Sequence, residues 1–450
     1  MVAKKSGVRF VCSNCGAAAS AWAGRCSVCG EWNTLQEEAS LVQIGGKTAA
    51  AKKLDIVTPA SVSKKDNQKR IKTDISEVDT VLGGGLVPGS VVLIAGQPGI
   101  GKSTLLLQVS ALLAKGSSVL YVSGEESVHQ VGLRASRIGA SAAKLKLATS
   151  TSAEDIAGAM NGGNYDVVVV DSIQAISVAS VGALAGTVSQ ITNSTHVLMA
   201  AAKQTNTAVV MVGHVTKEGS IAGPKVLEHV VDVVLQLEGD RYGGFKILRS
   251  VKNRFGSTNE AGIFEMKDAG LTPVENPSAA LLAERQISDG SVVLATMEGS
   301  RALLVEVQAL VNKTSYGYPK RTASGISLNR LNLLVAMLER RTKLNLSDQD
   351  IYINIVGGIA ISEPAADLAV CMAIGSASKG LKLKENAVVF GEVGLSGEVR
   401  HVPFADKRLA EAKKLGFKAA IGPKNQASKK PALLQSVSSV REALNTYLES

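Results

Sequence analysis

Aromatic residues are scarce, 4% of 450 positions, so any core must rest on Val, Leu, Ile and Ala. No run of about eighteen apolar residues is free of charge or glycine, which argues against a membrane-spanning helix. The opening Met1-Val2-Ala3-Lys4-Lys5 leads into no apolar signal segment. A soluble, cytoplasmic protein with no membrane partner is expected. Of the five cysteines, four fall within Cys12–Cys29 and Cys371 stands alone, which speaks against a secreted disulfide scaffold and for a reduced compartment. Acidic residues fall short of basic ones, 39 against 49, and the surplus of +10 is uneven. Residues 1–70 hold 11 Lys/Arg and 5 Asp/Glu, which is +6 of that total. Such a charge fits either a polyanionic partner or a solvated basic linker.

A chain of 450 residues suits two or three domains, each large enough to bury its own core. Residues 10–33 form a compact cysteine module. The stretch 36–70 is Ala-, Lys- and Ser-rich without apolar periodicity and reads as a basic linker, the whole of it spanning 34–70. From residue 71 to about 272, short apolar runs at Val91–Ala95, Ser118–Val122, Val167–Val170 and Val209–Val212 suit strands buried on both faces of a mainly parallel sheet. The last two runs, with Val233–Leu237 and Phe245–Val251, lack the long helices of the first half, so the sheet is expected to end in antiparallel hairpins. The polar, Pro-containing Thr272–Ser278 marks the next boundary. Over 285–450 a separate α/β domain is expected, with strands at Ser291–Met297, Ala302–Val311, Ile351–Ile355 and Ala387–Phe390. Its amphipathic helices are read at Asn329–Arg341 and Ala405–Leu415.

The chemistry concentrates at Gly96-Gln97-Pro98-Gly99-Ile100-Gly101-Lys102-Ser103, a phosphate-binding loop between a strand pattern and a helix pattern. Its glycines let consecutive backbone N–H groups converge on a phosphate, and the following helix adds its N-terminal dipole. Lys102 then reaches the β- and γ-phosphates, Ser103 ligates Mg²⁺, and Thr104 sits by the α-phosphate. Alone, the loop says only that ATP or GTP binds. Asp171 ends the Val167–Val170 run as a carboxylate delivered to the metal does, although a strand-end Asp also serves as a helix N-cap, a use open to Ser172 as well. Glu125 and Glu126, after Tyr121-Val122-Ser123-Gly124, are candidates for activating the attacking water, Glu125 first. Both also suit a helix start. His214 closes the next strand and reads as a γ-phosphate sensor or as a satisfied core histidine.

Cys12-x2-Cys15-x10-Cys26-x2-Cys29 forms two Cys-x-x-Cys knuckles, ending in Gly16 and Gly30, whose four thiolates close a tetrahedron around structural Zn²⁺. Four thiolates leave no open position for catalysis. Trp22 and Trp32, the chain's only tryptophans, are expected to pack this small module.

Together these residues resemble the family of the bacterial DNA repair protein RadA, also called Sms, over nearly the whole chain. The resembling segments are Val81-Leu82-Gly83-Gly84-Gly85-Leu86-Val87-Pro88-Gly89-Ser90, the phosphate loop, Ser123-Gly124-Glu125-Glu126-Ser127 and Lys252-Asn253-Arg254-Phe255-Gly256. The resemblance implies a RecA-like ATPase core that assembles as a hexameric ring. It also implies action on single-stranded DNA and branched recombination intermediates, beside a RecA-type recombinase. Lys252 and Arg254 are then expected to couple ATP use to DNA movement, as a finger on a neighbour's γ-phosphate or as a grip on DNA phosphates. The glycine-rich segment Lys217–Lys225 reads as a DNA-gripping loop, with Lys217 and Lys225 as phosphate contacts.

The last third resembles the proteolytic domain of Lon proteases through Gly357-Gly358 and Gly391–Gly397, but Ala365 stands where that family has its serine. Asp406 occupies the position of the lysine, with Lys407 one step off register. No Ser–Lys dyad forms without the hydroxyl, so a scaffold is expected in place of a peptidase. Arg321, Arg330, Arg340 and Arg341 are candidates for a basic DNA surface there. Two functions remain: a DNA-stimulated ATPase and helicase that drives branch migration, or a non-motor adaptor that ATP switches and that recruits a recombinase. The finger is open to DNA or to protein.

Overall fold

The structure is a computed structural model that describes residues 9–12, 18–19, 22–28, 30–33, 35–38, 70–141, 144–214, 225–239, 245–315, 317–384, 386–424 and 433–449. The chain divides into two compact units, 1–67 and 68–450.

In the first unit, the strand Arg9–Cys12 pairs antiparallel with Ala18–Ala19 on one side and with Leu35–Glu38 on the other. Cys26 and Leu35 are buried, with Phe10 and Ala19 packed against them. The tryptophans depart from the sequence reading: Trp22 is 59% and Trp32 67% exposed. So short a sheet encloses small side chains, and two indoles have more area than it can cover. Residues 36–38, read as the start of the linker, belong to the third strand, and 39–69 lie outside the described residues.

The second unit holds two large sheets. The first comprises β1 (Val91–Gly96), β2 (Val119–Ser123), β3 (Leu145–Thr149), β4 (Val167–Asp171), β5 (Ala208–His214), β6 (Val233–Gly239), β7 (Phe245–Asn253), β8 (Ala261–Lys267) and β9 (Gly270–Pro273). Their spatial order is β3-β2-β4-β5-β1-β6-β7-β8-β9. Pairing is parallel from β3 through β6 and antiparallel from β6 through β9, the ending expected from the sequence. β1 and β2 are buried along their whole length, which is why they read as unbroken apolar runs.

One expectation needs correction. Between β4 and β5, where no long helix was expected, runs the helix Val188–Thr205. Its buried face carries Gln190, Ser194 and Thr195, satisfied by bonds such as Gln190 Nε2 to Val181 O at 2.8 Å and Thr195 Oγ1 to Ile191 O at 2.8 Å, so the apolar stripe is broken. Within the boundary stretch Thr272–Ser278, β9 runs to Pro273, and a short helix, Pro277–Leu282, starts under an Asn276 cap.

The second sheet contains β10 (Ser291–Glu298), β11 (Arg301–Lys313), β12 (Arg321–Ser324), β13 (Gln349–Ile355), β14 (Ala387–Val389), β15 (Ala419–Pro423) and β16 (Leu434–Val437), in the order β12-β13-β11-β10-β14-β15-β16. Helices Leu328–Thr342 and Ala405–Lys414 match the two amphipathic patterns. The helix Asp367–Lys379 escaped notice because its first ten residues are all buried, leaving no polar face to reveal a period. Ile247 of β7 and Ala261 and Ile263 of β8 share one core with Val292–Ala295 of β10. The end of the first sheet thus packs into the core of the second.

Candidate functional site

The loop Gly96–Ser103 turns β1 into the helix Lys102–Leu113. Gly101 has a φ of +113°, a backbone conformation that strains any side chain, so the last residue before the helix favours glycine. Among the described residues no side chain caps the helix, which leaves its first N–H groups and its dipole free for an anion. Ser103 and Thr104 lie in its first turn. Lys102 is buried and folds back onto the loop, where Nζ donates to Gly96 O at 2.9 Å and Gln97 O at 3.0 Å. Burial lowers its pKa to about 8, against the pull of Asp171 and then Glu125.

The parallel strands bring three more groups to this edge. His214, at the end of β5, is paired in register with Gly96. Asp171, at the end of β4, accepts from Tyr121 Oη at 2.5 Å. Neither Asp171 nor Ser172 caps the short 3-10 turn Ile173–Ala175 through its side chain; the Ser172 hydroxyl donates to Glu125 instead. Glu125 also faces His214, with Nε2 at 3.7 Å. Burial and then the Lys102 charge lower the His214 pKa, and Glu125 and Asp171 oppose them. The two glutamates therefore part company: Glu126 is ion-paired with Arg134 on the following helix, while Glu125 points at the histidine.

Sequence reasoning missed Tyr121, whose partner lies fifty positions away. It also missed Gln174, three residues after Asp171. Both side-chain polar atoms of Gln174 are buried without a hydrogen-bond partner among the described residues, and so is His214 Nδ1. Gln174 lies beside Gly213, next to His214.

The Lys252–Gly256 segment lies at the opposite edge of the sheet. β7 runs antiparallel to β6 and continues through Asn253, which is opposite Val233 near the start of β1, on the order of 17 Å from the loop end of that strand. The Lys252 ammonium donates to Glu228 O at 2.5 Å and Val231 O at 2.8 Å; burial and then Arg254 lower its pKa. Arg254 pairs with Asp232 at 3.2 Å, and Asp232 accepts from Val91 N at 3.1 Å. The turn docks on the Gly83–Gly85 segment: Arg70 donates to Phe255 O at 2.6 Å, and a Cβ on Gly256 would be 3.3 Å from Gly83 Cα. Two of the family-like segments are thus one structure.

Lys217 lies outside the described residues, as does the side chain of Lys225, whose backbone begins the helix Lys225–Val230. Arg321 starts the edge strand β12, and its Nε is buried without a partner among the described residues. Arg330, by contrast, is held by the buried Asp367, with Nε to Oδ1 at 2.8 Å, so its charge is engaged within the fold. Arg340 and Arg341 fall in the last turn of their helix.

At the Lon-like positions, Ala365 is buried and its carbonyl accepts from Gly391 N at 2.8 Å. Lys407 donates to Ser300 O at 2.8 Å, and the buried Arg408 grips Glu363 with bonds of 2.9 and 2.7 Å. In the finger, Cys12 is paired in register with Leu35, against which the buried Cys26 packs. Gly30 N donates to Cys26 O at 3.0 Å with φ of +75°, closing a tight knuckle. Of the four expected zinc ligands only Cys26 has a described side chain; Cys15, Cys29 and the side chain of Cys12 lie outside the described residues.

Residues 58–220 match the family model of an AAA domain, 10–37 that of a rubredoxin metal binding domain, and 330–426 that of the ChlI subunit of Mg-chelatase. The solved structure of the RadB recombinase superposes on 46% of the chain and all of its own, with 24% identity and a TM-score of 0.38. No described helix is long and apolar enough to cross a membrane. The fold is α/β, with a RecA-like ATPase core, an N-terminal zinc ribbon and a C-terminal Lon-like domain. The DNA repair protein RadA of Bacillus subtilis is 47% identical over 454 residues, covering 99% of each chain. That of Brucella abortus is 48% identical over 93% of this chain and 92% of its own, and that of Pseudomonas aeruginosa 48% over 98% of each. At such identity along almost the full length, the chain belongs to the DNA repair protein RadA family.

Proposed function

We propose that the chain is an ATP-driven motor that moves along single-stranded DNA and promotes branch migration of recombination intermediates, working as a homo-oligomeric ring, hexameric by resemblance. One observation carries the reading. Lys102, Glu125, Asp171 and His214 converge around the phosphate loop, while Lys252 and Arg254 stand at the opposite edge of the sheet, beyond reach of the same chain's nucleotide. In the motor reading this basic pair acts on something outside its own subunit, either a neighbour's nucleotide or DNA.

In this reading Lys102 leaves the carbonyls of Gly96 and Gln97 for the β- and γ-phosphates. Ser103 and Asp171 hold Mg²⁺, which neutralises phosphate charge when bound. Glu125, held in place by its bond from Ser172, takes the proton of the attacking water. His214 reports the γ-phosphate to residues 215–224, which follow it directly and include Lys217; Lys225 lies just beyond. Arg321 belongs to the DNA surface of the Lon-like domain.

The adaptor reading draws on a different fact: Lys252 and Arg254 are both satisfied within the single chain. A forked DNA substrate separates the two. A motor displaces the strand with ATP, and single-stranded DNA raises its ATP turnover. An adaptor displaces nothing, and turnover indifferent to DNA would remove the motor reading.

A further inference from the structure

The first unit presents an arrangement that neither zinc binding nor ATP turnover uses. Trp22 and Trp32, the only tryptophans in the chain, are both largely exposed on a module whose buried side chains, among the described residues, are Cys26 and Leu35. They face the same bare stretch of backbone. A methyl on Gly24 would lie 3.7 Å from Trp32 Cζ3 and 3.9 Å from Trp22 Cη2. Arg25 is held beside them: its Nε donates to Gly30 O at 2.7 Å, and the guanidinium carbon lies 5.8 Å from the centre of the Trp32 ring. Val28, 73% exposed, adds apolar surface to the same module.

Leaving two indoles in water forgoes a large hydrophobic gain, so packing does not explain their presence. Their surroundings favour one occupant. Aromatic faces beside a guanidinium stack nucleobases whatever their sequence, and a basic setting attracts the phosphates between them. The first unit, residues 1–67, carries 9 Lys/Arg against 5 Asp/Glu. We infer that Trp22, Trp32 and Arg25 form a base-stacking site for single-stranded nucleic acid on the zinc ribbon, separate from the grips of the ATPase core. The inference deepens the proposed motor function and rests on its choice of single-stranded DNA as partner.

The two tryptophans make the test direct, because all tryptophan emission of the full-length, zinc-loaded protein comes from this surface. Oligothymidylate is titrated under selective tryptophan excitation, with binding followed in parallel by the anisotropy of a labelled strand. An abasic strand of equal length carries the same charge without bases. The site predicts quenching that saturates with binding by oligothymidylate and is absent with the abasic strand. Trp22→Ala/Trp32→Ala, checked for retained zinc, is expected to weaken binding roughly tenfold or more, and Trp→Phe at either position to weaken it less.

Binding and DNA-stimulated ATP turnover with unchanged emission would overturn the site while leaving the motor standing. Quenching without any stimulation would keep the site and remove the motor. No binding at all would remove both. Emission indifferent to oligothymidylate but shifted by a recombinase would make the surface a protein contact and overturn the inference.

Discussion

The Arg254 guanidinium stands 3.2 Å from the Asp232 carboxylate, whose other oxygen accepts from Val91 N at the start of β1. Asp232 is buried and Arg254 about half exposed, so their removal has unequal consequences. Arg254→Ala loses an ion pair of the exposed class, about 0–1 kcal/mol. Asp232→Ala leaves the buried Val91 N–H without its acceptor, about 1–3 kcal/mol. Urea unfolding should show that order. If Arg254 is a finger on a neighbour's nucleotide, R254A lowers turnover on the order of 10³-fold. If it grips DNA, the salt dependence of DNA binding becomes shallower instead. An R254A protein normal in both respects would leave the residue without a coupling role.

Glu125 and Glu126 are adjacent in sequence and opposite in use. The Arg134 ion pair occupies Glu126, whereas Glu125 lies between Ser172 and His214. Glu125→Gln is therefore expected to keep nucleotide affinity and lose on the order of 10²- to 10⁴-fold in turnover. Glu126→Gln should cost no more than a few-fold, through the loosened Arg134 contact. Single-turnover hydrolysis with saturating ATP measures both, and equal losses would return the choice of base to Glu126.

Part of this arrangement is legible in the sequence. Val91–Ala95 and Val167–Val170 read as buried strands because both faces are covered and neither needs polar residues. That Asp171 and His214 end strands follows from where those runs stop. What the sequence hides is contact across distance. The bonds from Tyr121 to Asp171 and from Val91 N to Asp232, and the docking of Gly256 on Gly83, depend on strand order, which local patterns do not encode. The helices Val188–Thr205 and Asp367–Lys379 escaped for opposite reasons, one having polar residues on its buried face and the other almost no exposed face.

The Lys102 ammonium makes nucleotide binding pH-dependent. Its pKa in the nucleotide-free chain is about 8, against 10.5 for an ordinary lysine, and burial is the main cause. Phosphates favour the charged form, so ATP binding near pH 8 is expected to take up a proton, and affinity should fall as pH rises through that value. Calorimetry in buffers of different ionisation enthalpy counts the proton; Lys102→Ala should abolish both its uptake and turnover. The sign for stability is opposite. Between about pH 8 and 10.5 the folded chain has released a proton that the unfolded chain retains, so the nucleotide-free fold gains stability with rising pH.

Ala365→Ser tests whether the Lon-like half is one hydroxyl short of a peptidase or lacks more. A serine needs a base within hydrogen-bond reach, and none of the nearby cations is available for that role. Lys407 donates to Ser300 O at 2.8 Å, and Arg408 is locked by Glu363 and by Ala295 O at 2.5 Å. Asp406, at the position of the Lon lysine, carries the wrong charge. The new hydroxyl would also sit at a site that is 2% exposed, at a cost of about 1–3 kcal/mol unless it finds a partner. A365S is therefore expected to unfold at lower urea and to leave casein intact. Casein cleavage by pure A365S would show that a base is within reach, and the scaffold assignment would fall with it.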